Sequence, residues 1–285
     1  MKKSLKVAVA AIFALASGAV AFDWPQNHIL SDSFFSYFAQ KRGGRISPSL
    51  IFSDTEGVKA SDDGRLVAVL CEHSNSELFE STLGNAAIIS HVDDMVTVYA
   101  NLDSVEDIFS IRDVKAGDSL GETSNSAWQE GSSCLEFQVV DVKAGSFVNP
   151  RILMPRFGGE LPLVLANVTA VNRAKMPFRL STTNALNAGT YLIYNDRQEV
   201  AVPYKSVIYI NGVAVEGLSY DSVYERDGKF SVKGRDFHAL SEVYPDDNSI
   251  LLGEVTFPRG RNELTVVISD ILGKEQSMTY IFDAR

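Results

Sequence analysis

The sequence predicts an all-β protein built from two successive β domains. Three observations predict it. Apolar residues alternate in short runs divided by Asp, Asn, Gly and Ser turns. No long stretch repeats at helical period. A segment with two prolines and a Gly-Gly pair, RILMPRFGGELPL at 151–163, separates two sets of strands. The chain has 285 residues, enough for two modest domains and an export segment. With 45% apolar and 22% charged residues its composition is that of a globular protein and excludes global disorder. The net charge is −10. Without a basic stripe along the sequence, that charge excludes nucleic acid as a partner and disfavours an anionic membrane surface.

Taken in order, the first segment is MKKSLKVAVAAIFALASGAVAF. Lys2, Lys3 and Lys6 form a positive start, an apolar stretch too short to cross a bilayer follows, and Ala19-Val20-Ala21 offers a cleavage site. A signal peptide is expected over 1–21, with no cysteine at the cut for a lipid anchor and no later apolar run able to span a membrane. The expected location is the periplasm or cell envelope. There Cys71 and Cys134, both in strand-like sequence, could pair as a disulfide if geometry allows. Residues 22–45 carry the aromatic cluster Phe34, Phe35, Tyr37 and Phe38 ahead of KRGGR. Strands are expected at 57–60, 65–70, 86–90, 96–100 and 135–140, with Asp63-Gly64 turning a hairpin between the first two. A first domain over 22–156, a linker at 157–163 and a second domain over 164–285 follow. In the second, LVLANVTAVNR, GTYLIYND, SVIYINGVAV, LLGEVTF and NELTVVISD read as strands of a β-sandwich, and LGK at 272–274 turns the last hairpin.

Between Gly84 and Pro150 the chain reads GNAAIISHVDDMVTVYANL, VKAGDSLGETSNSAWQEG and CLEFQVVDVKAGSFVNP. This frame resembles the LytM/lysostaphin-type zinc endopeptidases, which cut peptide cross-bridges in bacterial cell wall. The resemblance implies an antiparallel LytM-type sheet and assigns the family's HxxxD, YxHL and HxH positions. Here KRGGRISPSLIF puts Ser47 and Ile51 at the first pair, YANL puts Asn101 at the assisting histidine, and CLEF puts Cys134 and Glu136 at the last two. Zinc hydrolysis needs ligands that fix the metal and leave water a position, a group to take a proton, and a donor for the oxyanion. Ile51 has no donor atom, Ser47 is a poor zinc ligand, and Glu136 alone does not hold zinc against water. No metal, no cofactor and no catalytic residue is therefore expected. The second domain, with phrases such as YINGVAVE and GRNELTVVISDILGKE, resembles the immunoglobulin-like domains that follow LytM domains in some exported proteins.

The remaining residues with chemistry have simpler readings. His91 reads as a strand-end or turn residue outside the metal site, His73 as part of a solvated loop, and His28 and His238 lack ligand spacing. VDD at 92–94 and PDDN at 245–248 lack the calcium-loop spacing and read as solvated turns. The sequon at Asn167 lies in strand-like sequence. The expected function is a non-catalytic LytM-like envelope protein that binds cell-wall peptide or regulates a peptidoglycan hydrolase, as relatives that activate cell-wall amidases do. Two alternatives stand beside it: an active endopeptidase using zinc through Glu136 or a thiol through Cys134, and a structural or adhesive envelope protein.

Overall fold

The structure is a computed structural model and describes residues 22–71, 81–127, 134–198 and 203–285. The signal peptide expected over 1–21 and His73 lie outside the described residues. Nearly all regular structure is β. The first half contributes β1 (Phe34–Ser36), β2 (Leu50–Phe52), β3 (Gly57–Lys59), β4 (Gly64–Leu70), β5 (Asn85–Ser90), β6 (Met95–Leu102), β7 (Ser119–Glu122), β8 (Glu136–Asp141) and β9 (Ser146–Val148). β4, β5, β6, β8 and β9 run side by side as antiparallel neighbours, and β2 pairs with the start of β8. Alternation sorts the side chains. Leu50, Phe52, Ala87, Ile89, Tyr99, Phe137 and Val139 share one core, while Ala86, Val98 and Ala100 cluster separately.

One expected hairpin is corrected. The chain bends over residues 61–63 and Gly64 already opens β4, but β3 pairs with β7, and β4 pairs with β5. The reason is close approach: a Cβ on Gly64 would lie 2.6 Å from Ile89 Cγ2 and 2.7 Å from the Ser90 carbonyl oxygen. The chain leaves the turn pressed against β5, so β4 pairs there rather than folding back on β3. The two cysteines are not bridged to each other: Cys71 is an exposed thiol after β4, and Cys134 is buried.

The second half contributes β10 (Thr169–Asn172), β11 (Gly189–Asp196), β12 (Lys205–Ile210), β13 (Val213–Arg226), β14 (Lys229–Lys233), β15 (Phe237–Ala239), the one-turn α1 (Leu240–Val243), β16 (Ser249–Phe257), β17 (Gly260–Ser269) and β18 (Glu275–Ala284). β10, β11 and β16 form one layer, and β12, β17 and β18 form part of another. Ala170, Ile193 and Phe257 from the first layer meet Ile208, Leu264 and Val266 from the second in a shared core, as in a sandwich. The expected final hairpin forms between β17 and β18. The Asp270 carboxylate fixes its turn by accepting the Leu272 and Lys274 N–H groups at 2.9 and 2.8 Å.

The two halves are joined by more than the chain. The 14-residue β13 pairs with β12 along its first part and with β9 along its second, through Phe147↔Val223 and its neighbours, so one sheet passes through both. A further core at the join sets Phe38, Ala39 and Ile46 among Leu218, Tyr220, Val223, Val232, Val243 and Tyr244. The segment expected as a linker is packed as well. Phe157 lies against Trp24 and Phe34, Glu160 is ion-paired with buried Arg151, and Leu163 belongs to the sandwich core. The Arg151 guanidinium also lies over the Phe34, Tyr37 and Phe157 rings at 5.0 to 5.4 Å. Among the described residues no helix is long and apolar enough to cross a membrane.

Candidate functional site

Glu136 opens β8, and strand alternation turns it away from the core that its neighbour Phe137 enters. Its cross-strand partners are Ile51 on β2 and Ala100 on β6, and all three residues are buried. A carboxylate held there needs partners. Ser49, two residues before Ile51, donates its hydroxyl to Glu136 Oε1 at 2.5 Å. Gln138, two residues after Glu136, donates Nε2 to Ser49 Oγ at 2.9 Å and to Glu136 Oε1 at 3.4 Å. The other carboxylate oxygen, Oε2, accepts Arg42 Nη1 at 3.0 Å. The guanidinium side chain is 29% exposed and the carboxylate side chain 6%, so this is a pair at the edge of solvent with its acid end submerged.

Local sequence explains how Arg42 reaches Glu136. Lys41–Arg42 pairs with Arg45–Ile46 across Gly43-Gly44, whose φ angles of 53° and 75° are both left-handed. A two-residue turn with both central φ positive matches strand twist and favours glycine. The base of this hairpin is fixed by the Ala39 N–H to Ser47 oxygen and Ser47 N–H to Gln40 oxygen bonds at 2.8 and 2.7 Å. The sandwich half holds it too. The Tyr244 hydroxyl donates to the Ala39 carbonyl at 2.9 Å, and Lys41 Nζ meets Asp247 Oδ1 at 2.5 Å. Hydrogen bonding from the Lys41 ammonium holds the Asp247 carboxyl below its usual range.

Of the five positions singled out in the sequence, Ile51 and Glu136 stand face to face, and Ser47 is linked to them through Ser49, whose N–H it accepts at 3.3 Å. Asn101 follows Ala100, takes a left-handed φ of 68°, and donates Nδ2 to the Cys134 carbonyl at 2.7 Å. Its Oδ1 accepts the Ala127 N–H at 2.9 Å, so the side chain ties two backbone segments together. Cys134 precedes β8, and its Sγ lies 4.0 Å from the Ser53 carbonyl oxygen. Arg42, Ser49 and Gln138 were not singled out. Ser49 and Gln138 carried a signal, since each is two residues from a position already chosen and so shares its strand face. Arg42 carried none, because its approach depends on where the hairpin docks.

A zinc ion does not fit this donor set. Ile51 offers no donor, Ser47 offers a hydroxyl, and both Glu136 oxygens are engaged by Ser49 and Arg42. Among the described residues no group of three or more His, Cys, Asp or Glu side chains comes together. The histidines serve elsewhere. His91 is buried, with Nδ1 2.9 Å from the Asp63 carbonyl and Nε2 2.7 Å from Thr97 Oγ1, and so braces the turn before β4. His238 Nδ1 lies 3.1 Å from Glu242, and His28 is exposed. Asp93 and Asp94 are exposed at a turn, and the residues at 245–247 are mostly exposed as well.

A family model described as peptidase family M23 matches residues 50–150, and a second family model matches residues 162–285. An uncharacterized protein of Treponema pallidum (strain Nichols) is 34% identical over 124 residues, a match covering 40% of this chain and 82% of that protein. A zinc-containing peptidase from Vibrio cholerae is 20% identical with a TM-score of 0.34, covering 42% of this chain and 36% of that one, little more than a third of its length. The catalytic domain of the prophage-encoded M23 protein EnpA from Enterococcus faecalis is 22% identical with a TM-score of 0.34, covering 47% of this chain and 98% of that one. The sequence frame around β5, β6 and β8 lies within the match over residues 50–150, and that stretch is similar to the M23 peptidase family.

Proposed function

We propose that this protein is a non-catalytic M23-type protein of the cell envelope, exported by its N-terminal segment, that binds cell-wall peptide or docks on a peptidoglycan hydrolase. In this reading Ser47, Ile51, Asn101, Cys134 and Glu136 occupy the former ligand and histidine positions of the family. The observation that carries it is the pair formed by Arg42 and Glu136. The one remaining carboxylate of the old ligand set is neutralised by a cation that belongs to the chain. A guanidinium donates hydrogen bonds and offers no empty orbital to water, so it cannot generate a hydroxide at neutral pH as a bound metal does. Cys134 as a nucleophile finds no support either: its thiol is buried, its described contact is a backbone carbonyl, and Asn101 is not a base. The second β half is then a further contact surface or a spacer.

The test is incubation of the mature chain with isolated peptidoglycan, with and without added zinc, followed by chromatography of released muropeptides. No release above a heat-treated control is expected in either arm. Zinc-dependent release that disappears in Glu136→Gln would overturn the reading.

A further inference from the structure

The hairpin that carries Arg42 also forms one wall of a solvent-open cavity of about 530 Å³, lined on its other sides by the β13–β14 turn and by α1. That volume lies within the range of small-ligand and peptide side-chain sites, about 300–1,000 Å³. The cavity is two-natured. Phe230 and Leu240 are half-buried and make an apolar floor, backed by the wholly buried Ile46. Arg45 and Lys229 are exposed at its rim, with Glu225 as the one carboxylate among the lining residues. Neither Arg45 nor Lys229 takes part in an ion pair among the described residues. Lys229 stands directly opposite Arg226 in the β13–β14 ladder, a like-charge pairing that costs stability. The Arg226 guanidinium is drawn aside over the Phe237 ring at 4.1 Å, while Lys229 is left at the rim. In a chain of net charge −10, an excess of cation over an apolar floor is a local inversion of the overall field.

We propose that this cavity binds an acidic peptide segment, with Arg45 and Lys229 receiving carboxylates and an adjoining apolar side chain seated against Phe230 and Leu240. The planar fork of Arg45 suits a carboxylate, and Lys229 supplies a second point charge from the facing wall. Glu136 is not among the residues lining the cavity, so this inference does not rest on the reading of the M23 stretch.

Calorimetric titration of the full mature chain tests it. The probe is an acetylated, amidated pentapeptide of sequence Gly-Glu-Leu-Glu-Gly, with a Gln-for-Glu twin as its control. Saturable binding is expected, about tenfold weaker for the twin and about tenfold weaker again when both Arg45→Glu and Lys229→Glu are present. Raising sodium chloride from about 0.05 M to about 0.5 M should weaken it further. Because charge reversal can disturb folding, the Arg45→Gln and Lys229→Gln pair is measured beside it and should show an intermediate loss at an unchanged melting midpoint. The inference is overturned if the native chain shows no saturable binding, if the twin binds equally, or if both double variants bind as the native chain does. Binding of anionic phospholipid vesicles through the same two cations, without peptide binding, would overturn it in favour of a membrane surface.

Discussion

Among the described residues each half of the molecule buries one glutamate on a sheet, and the two are satisfied in opposite ways. Glu216 on β13 sends Oε1 to the backbone N–H groups of Gly217 and Arg235, both at 2.9 Å. Those donors come from its own strand and from the loop after β14. Glycines make room for it, since a Cβ on Gly253 would lie 2.6 Å from Glu216 Cγ. Glu136 is met instead by side chains, from Arg42, Ser49 and Gln138, drawn from three separate stretches of chain. Backbone donors come with the fold whatever the side chains are, so Glu216 is a piece of scaffold. Side-chain donors have to be kept individually, so the cluster at Glu136 depends on three particular residues, which balance its charge from within the chain.

The largest effect that separates the two is expected at Arg42. Arg42→Ala leaves the Glu136 carboxylate buried without its cation and should cost about 3 kcal/mol in a urea titration, the low end for breaking a buried pair because the guanidinium is partly exposed. Adding Glu136→Gln removes the stranded charge and should restore about half of that loss or more. A single variant that melts within about 0.5 kcal/mol of the native chain would mean the pair behaves as a surface contact, and the contrast with Glu216 would fail.

Next in size is Gly253→Ala. Its φ of 151° lies in the region that side chains avoid, and the added methyl would meet Glu216 Cγ at 2.6 Å and Ile208 Cδ1 at 3.1 Å. A cost of about 2 kcal/mol is expected from thermal or chemical unfolding. A neutral result would show that β16 can shift away from β13, and the scaffold role of Glu216 would lose its packing argument.

What was legible in the sequence follows the same division between local and recruited structure. The strands at 85–90, 95–102 and 136–141 were readable because alternation is a local signal, and the Asp270 to Lys274 turn because its residues hydrogen-bond to their own backbone. Ile51 and Glu136 were each singled out from the family frame, but their pairing across β2 and β8 is a finding of the fold. The Asp63-Gly64 hairpin was misread because a turn signal says the chain bends and not which strand receives it. Arg42 was invisible for a similar reason. Its place opposite Glu136 is set by Tyr244 and Asp247, about 200 residues downstream, and no local pattern encodes that docking. The continuity of one sheet through β9 and β13 was likewise hidden: SVIYINGVAV was read as one run, whereas β12 ends at Ile210 and β13 continues from Val213 to Arg226.

The smallest expected effect sharpens the comparison most, because it uses the same substitution in both halves. Glu216→Gln keeps a carbonyl oxygen where Gly217 and Arg235 donate, and loses the added strength of a charged acceptor; about 1 kcal/mol is expected. Glu136→Gln should be comparable in size but different in its response to salt. The attraction between Arg42 and Glu136 acts at the edge of solvent, where added ions screen it, so the deficit of Glu136→Gln should shrink as sodium chloride rises toward about 1 M. The bonds that Glu216 accepts are short-range and enclosed, so the deficit of Glu216→Gln should stay constant across the same series. Parallel salt dependence in the two variants, measured by urea midpoints at matched ionic strength, would mean that both carboxylates are held by the same kind of interaction. The distinction between an acid held by backbone and one held by side chains would then have no energetic content.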